Sequence, residues 1–123
     1  MAQEYSRSRR VADQIQRELA LIIQQELKDP RVGMVTITAV EVSREFEHAK
    51  VYITVLGDEA AGKATLEGLD KASGYLRREL AHRLKLRVTP KLHFHYDHSL
   101  EEGIRLSAMI DDAVAADKSK EST

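Results

Sequence analysis

The chain has 123 residues, of which 42% are hydrophobic and 32% are charged, and its formal net charge is −1. These values are typical of one soluble globular domain with one core, and the absence of cysteine excludes disulfides, a thiolate nucleophile and thiolate metal sites. Because no apolar run approaches the ~20 residues that span a bilayer and the first residues lack a secretory core, we expect a cytoplasmic protein without a membrane partner.

The first predicted element is an amphipathic helix over about residues 6–28. Its apolar stripe recurs at spacings of three and four and consists of Val11, Ile15, Leu19, Ile22 and Ile23. Arg7, Arg9 and Arg10 lie at its start, where the helix dipole disfavours positive charge, so they form either a solvated terminus or an external contact. Residues 29–33 are predicted to form a turn, because proline cannot continue the helix.

Two strands are predicted next, over residues 34–42 and 49–56. In the first, the apolar positions change parity near Val40, which indicates a bulge or a strand buried partly on both faces. In the second, Val51, Ile53 and Val55 alternate cleanly with polar residues. The short polar loop between the strands predicts an antiparallel pair.

A helical pattern fills residues 59–84, with Asp58 as its predicted cap. Gly74 separates a weaker half from a stronger half, so we expect a kink or a break there. A third strand alternates from Leu86 to Tyr96, with Pro90 at its start or at a bulge. The helical crossover before it makes this strand parallel to one of the first two.

The capping-box spacing from Ser99 predicts a last helix, whose Leu100, Ile104 and Ile110 are available to pack on the body of the protein. The predicted fold class is therefore α+β, a three-stranded mixed sheet with helices packed on one face. We expect one domain over residues 1–112, followed by a flexible polar tail over residues 113–123.

Candidate catalytic and metal-binding residues are few. His93 and His95 project from one face of a strand and can share a metal, but no third ligand stands at a recognised spacing. The sequence contains no nucleophile elbow, no phosphate-cradling glycine loop and no dinucleotide fingerprint. We therefore expect no enzyme, no catalytic residue, no metal and no cofactor.

The most polarised segment is residues 71–91, with seven basic residues and one acidic residue. Its net charge of +6 contrasts with the −4 of residues 97–123, and favours either a solvated face or a surface that binds a polyanion. Arg78, His82 and Lys85 recur at spacings of four and three, away from the apolar stripe formed by Leu76, Leu80 and Leu84. A kink beside them would expose backbone N–H groups to phosphate. The sequence offers Tyr52 and Tyr75 as candidates for base stacking.

This order of elements is similar to the KH domain, in which a GXXG loop between two helices clamps a nucleic-acid backbone. The chain has Ala72-Ser73-Gly74 in that place. Over about residues 5–112, and most specifically over residues 29–57 and 72–111, it resembles the ribosome-binding factor A family of bacterial small-subunit assembly factors.

The resemblance implies a KH-like fold of type II strand order, with the helix interrupted at an Ala-x-Gly kink. It implies binding to the 30S ribosomal subunit and its 16S rRNA, and late maturation that includes processing of the rRNA 5′ end. It also implies importance for growth in the cold and release by an assembly GTPase, and we expect a monomer. The remaining alternatives are a protein–protein adaptor and, more remotely, a hydrolase or metal enzyme.

The predicted RNA-binding residues are the kink, the basic side chains around it and the N-terminal arginines, for which no individual contact is defined. They are Lys71, Ala72, Ser73, Gly74, Arg77, Arg78, Arg83, Lys85, Arg87, Lys91, Arg7, Arg9 and Arg10.

Overall fold

Three helices and three strands make up the described part of the chain, in a computed structural model that describes residues 2–30, 32 and 34–121. In chain order these are α1 (Ala2–Gln25), β1 (Val35–Val42), β2 (His48–Val55), α2 (Glu59–Leu84), β3 (Lys91–Tyr96) and α3 (Ser99–Glu121). This confirms the predicted α+β class. None of these three helices is both long enough and apolar enough to cross a membrane.

The sheet has the order β1-β2-β3, with β1 antiparallel to β2 and β2 parallel to β3. Both pairings agree with the predictions. The register between β1 and β2 shifts between Ile37 and Ala39, and this bulge is why Val40 and Val42 face the core despite their changed parity.

The turn between α1 and β1 is closed by the Val32 N–H, which donates to the Asp29 carbonyl over 3.0 Å. Arg31 and Gly33, which also belong to the predicted turn, lie outside the described residues.

Helices α1 and α2 pack on one face of the sheet and enclose the core. The side chains with no exposed surface come from both helices and from the central strand: Ile15, Leu19, Ile22, Ala49, Val51, Ile53, Leu69, Leu76 and Leu80. Burial of one such large aliphatic side chain contributes roughly 1.5–3 kcal/mol relative to its exposure. The packing of α1 and α2 therefore rests on the leucine and isoleucine stripes that the sequence predicts.

Helix α2 is continuous from Glu59 to Leu84, so of the kink or break predicted at Gly74 the break is wrong, and the kink stays a prediction. Asp58 caps its start as predicted, because its side chain accepts from the Ala61 N–H over 2.9 Å. A glycine inside a helix costs about 1 kcal/mol relative to alanine. The complete burial of Leu69 and Leu76 on either side of Gly74 outweighs that cost and keeps the helix intact. The exposed N–H groups of a second helix start are consequently not available to phosphate.

Strand β3 begins only at Lys91, later than the predicted start at Leu86. The helix ends because Lys85 adopts a left-handed conformation with φ of +50°, and its N–H donates to the Ala81 carbonyl. Pro90 is fully buried directly before the strand, which agrees with its predicted place at the strand start. The segment between Lys85 and Pro90 is a connecting loop.

Residues 99–114 of helix α3 are exposed, contrary to the prediction that the apolar residues of this helix pack on the body of the protein. Leu100, Ile104 and Ile110 keep 55–70% of their surface exposed. The start of the helix is held by the Asp97 carboxylate, which accepts hydrogen bonds from Ser99 and Thr38. These hydrogen bonds lower the pKa of Asp97 to about 2. The backbone is helical through Glu121, and the proposed domain boundary after residue 112 stays a prediction.

Candidate nucleic-acid interface

The solvent side of helix α2 carries exposed residues at helical spacings, Lys71, Gly74 and Arg78, and the exposed Lys85 follows as the residue that ends the helix. Separations of three and four place Lys71, Gly74 and Arg78 on one side of the helix. The opposite side is buried in the core. In a chain with a formal net charge of −1, this arrangement makes a local cationic surface, named here the α2 cationic side.

A ligand can come close to the helix backbone at the centre of this surface. A Cβ added at Gly74 would meet no heavy atom within 4 Å, so the glycine leaves the helix backbone uncovered. Ala72 is partly buried against the core, and the Ser73 hydroxyl donates to the Asp70 carbonyl over 2.8 Å. Of the three residues predicted as the kink, only Gly74 is therefore exposed on the α2 cationic side.

Arg77 holds the loop that follows α2. Its guanidinium donates twice to the Thr89 carbonyl oxygen, from Nε over 3.0 Å and from Nη2 over 2.8 Å. Because two of its N–H groups donate to one partly buried carbonyl, the Arg77 side chain is held against the body of the protein. Arg77 therefore positions the loop that carries the exposed Arg87, and does not project from the α2 cationic side.

Arg83 is exposed, but it pairs with carboxylates of helix α1. It forms ion pairs with Glu18 at 3.3 Å and with Glu26 at 2.6 Å. The Tyr75 hydroxyl donates to the same Glu26 over 3.0 Å, and this hydrogen bond raises the pKa of Tyr75. Arg83 and Tyr75 thus already have partners within the fold, and their roles in RNA binding and base stacking stay predictions. The separation of seven residues between Leu76 and Arg83 is the sequence signal that Arg83 lies beside α1.

The remaining predicted cations lie apart from α2. Arg7, Arg9 and Arg10 are exposed in the first turns of α1, where the Arg7 guanidinium lies 5.8 Å from the centre of the Phe46 ring in the β1–β2 loop. Glu18, the residue of α1 that pairs with Arg83 of α2, lies eleven residues after Arg7. This separation corresponds to about 16 Å along a helix, so Arg7 is distant from that contact with α2. Lys91 is exposed at the start of β3. The structure thus divides the predicted site into three separate groups of cations.

The pairing of β2 with β3 brings together the candidates Tyr52, His93 and His95 and adds His48, which sequence reasoning missed because the group forms only when the strands pair. His48 Nδ1 lies 2.9 Å from His93 Nε2, and the rings of Tyr52 and His95 are 5.7 Å apart between centres. Within residues 2–30, 32 and 34–121, no group of three or more histidine or carboxylate side chains is placed to hold a metal ion.

The sequence matches the family described as ribosome-binding factor A over residues 7–110. It is 57% identical to ribosome-binding factor A of Nitrosospira multiformis over 123 residues, covering 100% of this chain and 98% of that protein. It is 60% identical to the protein of the same name from Thiobacillus denitrificans over 117 residues, covering 95% and 94% of the two chains.

Solved structures of the same name share the fold. The crystal structure of ribosome-binding factor A from Thermus thermophilus superimposes with a TM-score of 0.68 at 30% identity, covering 75% of this chain and 97% of that one. A homology model of the Thermus thermophilus protein, fitted into the cryo-EM map of a complex of the 30S subunit with ribosome-binding factor A, gives a TM-score of 0.60 at 32% identity. It covers 71% of this chain and 91% of that one.

Proposed function

The chain belongs to the ribosome-binding factor A family, and from this premise we propose that it binds the 30S ribosomal subunit and its 16S rRNA through the α2 cationic side. The observation that carries the proposal is the exposure of Lys71 and Arg78 on either side of the uncovered Gly74, with Lys85 exposed at the end of the same helix. The similar Thermus thermophilus protein fitted into a map of a 30S complex supports the choice of the small subunit.

Contacts between basic side chains and phosphates position the protein on the RNA and do not distinguish one RNA sequence from another. Lysine and arginine bind phosphate oxygens, which carry no base information, so the shape of the rRNA and its neighbours would supply specificity. We propose a non-catalytic role in the cytoplasm, in which a single copy of the chain binds a late precursor and biases its folding, including the maturation of the 16S rRNA 5′ end. A ligand shifts such an equilibrium only by differential affinity for its two states. Release from the mature subunit by an assembly GTPase belongs to the same proposal.

Binding to small subunits is expected to weaken steeply with salt. If Lys71, Arg78, Lys85 and Arg87 each neutralise one phosphate, the slope of log K against log salt is roughly −3 to −4. Affinity should then fall roughly 50- to 150-fold between 50 and 200 mM salt. The measurement is sedimentation or fluorescence anisotropy of the labelled chain with purified precursor subunits at four salt concentrations. An affinity that does not respond to salt would contradict the electrostatic binding mode.

A protein partner is the second candidate, and the exposed apolar residues of α3 favour it. Digestion of the subunit with ribonuclease separates the two. Loss of association after digestion supports RNA binding, whereas association that persists with the released ribosomal proteins supports an adaptor.

Replacing Gly74 with alanine is expected to stabilise the protein and to weaken subunit binding. The helix is continuous there and the added methyl group meets no atom, so the free energy of unfolding should rise by about 0.5–1 kcal/mol. The same methyl group would hold a phosphate away from the helix backbone, and we expect a several-fold loss of affinity. Urea unfolding and subunit binding are measured on the same preparation.

Gly103→Ala is the matched control for this prediction. Gly103 is also an exposed helical glycine with nothing within 4 Å of an added Cβ, but it lies on α3, away from the α2 cationic side. We expect Gly103→Ala to leave subunit binding unchanged. A Gly74→Ala protein that binds as tightly as the unmodified chain would show that no phosphate approaches Gly74.

A further inference from the structure

The face of the sheet turned away from α1 and α2 concentrates aromatic and basic side chains on its two neighbouring parallel strands. Successive side chains of a strand alternate between faces, and the inward set, including Val51 and Phe94, is buried. The outward set on β2 and β3 includes, besides Thr54, the six residues His48, Lys50, Tyr52, Lys91, His93 and His95. All six are exposed except Tyr52, which is half-buried.

The pairing register assembles these six side chains into one patch, named here the outer sheet patch. His48 pairs with Lys91, Lys50 with His93, and Tyr52 with His95. The Tyr52 and His95 rings lie 5.7 Å apart at an angle of 34°, and the His48 and His93 rings lie 5.1 Å apart at 40°. Residues two apart on a strand are separated by roughly 6.6 Å. The two ring pairs therefore follow each other along the strands, with Lys50 between them.

The charge of the patch favours an anionic ligand. Lys50 and Lys91 stand among the three imidazoles of His48, His93 and His95. The neighbouring carboxylates include Glu41, which pairs with Lys50 on β1, and the exposed Glu47, whose carbonyl accepts from the Lys91 N–H. Asp97 is also near, but it already accepts hydrogen bonds from Ser99 and Thr38. The rest of β1 on this face is small, with Ala39 opposite Tyr52, so a flat ligand can reach the rings.

We propose that the outer sheet patch binds an unpaired RNA segment, with bases stacked on the Tyr52–His95 and His48–His93 ring pairs and phosphates at Lys50 and Lys91. Aromatic rings flanked by cations are the elements of single-strand binding, and stacking on one ring contributes about 5- to 150-fold in affinity per base. The patch is distinct from the α2 cationic side, because the sheet and its buried core separate them. The inference rests on the proposed function and adds to it a surface for a flexible rRNA strand. Its test uses free RNA, so the result does not depend on whether the α2 cationic side binds the subunit.

The test is an NMR titration of the full-length ¹⁵N-labelled chain with unpaired octauridylate and octaadenylate, without ribosomal subunits. We expect the largest amide shifts in β2 and β3, and at least a fivefold loss of affinity in Tyr52→Ala/His95→Ala. Thr36→Ala, an exposed position at the far corner of the same face, is the control and should bind like the unmodified chain. Lys50→Ala, at an exposed position, should weaken binding about two- to threefold and reduce the salt slope by about one.

Failure of this inference is distinguishable from failure of the proposed function. Amide shifts confined to α2, or an oligonucleotide affinity unchanged in both the double variant and Lys50→Ala, would overturn the inference while leaving salt-dependent subunit binding intact. Conversely, oligonucleotide binding at β2 and β3 combined with salt-insensitive subunit binding would support the patch and overturn the α2 interface.

Discussion

Reversing Arg78 and Lys85 to glutamate is expected to weaken binding to small subunits by about 30-fold or more at 0.15 M salt. Loss of two phosphate contacts gives this factor through counterion release, and the introduced repulsion adds to it. The slope of log K against log salt should also become shallower by about two. Anisotropy or sedimentation with precursor subunits at several salt concentrations measures both quantities.

The choice of this pair follows from the contacts within the fold. From the sequence, Arg77 and Arg78 look equivalent, but Arg77 donates to the Thr89 carbonyl whereas Arg78 is exposed. Arg77→Glu would leave a partly buried carbonyl without its donor and place a carboxylate beside it, at a cost of about 1–3 kcal/mol or more. Weakened binding in that variant would therefore report a damaged fold. Arg78 and Lys85 can be reversed without this loss.

A charge-matched variant controls for the change in net charge. Arg44→Glu/Arg105→Glu alters the charge by the same amount at two exposed positions, one in the β1–β2 loop and one on α3. This control should bind within about threefold of the unmodified chain, because charges beyond a Debye length of about 8 Å are screened. Equal losses in the two double variants would show that net charge, and not the α2 cationic side, determines affinity.

The sequence predicts those parts of the fold whose signal is local. The isoleucine and leucine spacings of α1 and the alternation of β2 each follow from the geometry of a single element, and the parity change at Val40 marks the bulge between Ile37 and Ala39. The continuity of α2 is not local. The weakness of Gly74 is visible in the sequence, but the burial of Leu69 and Leu76 that compensates for it depends on packing against α1 and the sheet.

In the candidate site, too, the sequence predicts what depends on local spacing and not what depends on tertiary contacts. Periodicity correctly places Lys71 and Arg78 on the solvent side of α2. The partners that occupy Arg83 are 57 and 65 residues away along the chain, and a count of basic residues does not include them. The ring pairs of the outer sheet patch also require the register of β2 against β3, which composition does not determine. Charge patterns thus locate a surface, and only tertiary contacts show which of its charges are free to bind.

The prediction with the largest expected effect on stability compares a buried leucine of α2 with an exposed leucine of α3. Leu80→Ala and Leu106→Ala make the same chemical change in the middle of a helix, but Leu80 has no exposed surface whereas Leu106 keeps 58% of its surface exposed. Removing the Leu80 side chain loses its transfer free energy and leaves a cavity, for an expected cost of about 2–5 kcal/mol. For a domain of this size that corresponds to a Tm lower by roughly 8–20 °C.

Leu106→Ala is expected to change the free energy of unfolding by less than about 0.5 kcal/mol, as is usual for exposed positions. Urea and thermal unfolding of both variants, followed by circular dichroism, give the comparison, and helix propensity cancels because both leucines become alanine in a helix. A cost above about 1 kcal/mol for Leu106→Ala would mean that α3 packs on the body of the protein in solution. A small cost for Leu106→Ala beside a large one for Leu80→Ala would mean that the apolar residues of α3 stabilise the free protein very little, and that the core enclosed by α1, α2 and the sheet determines its stability.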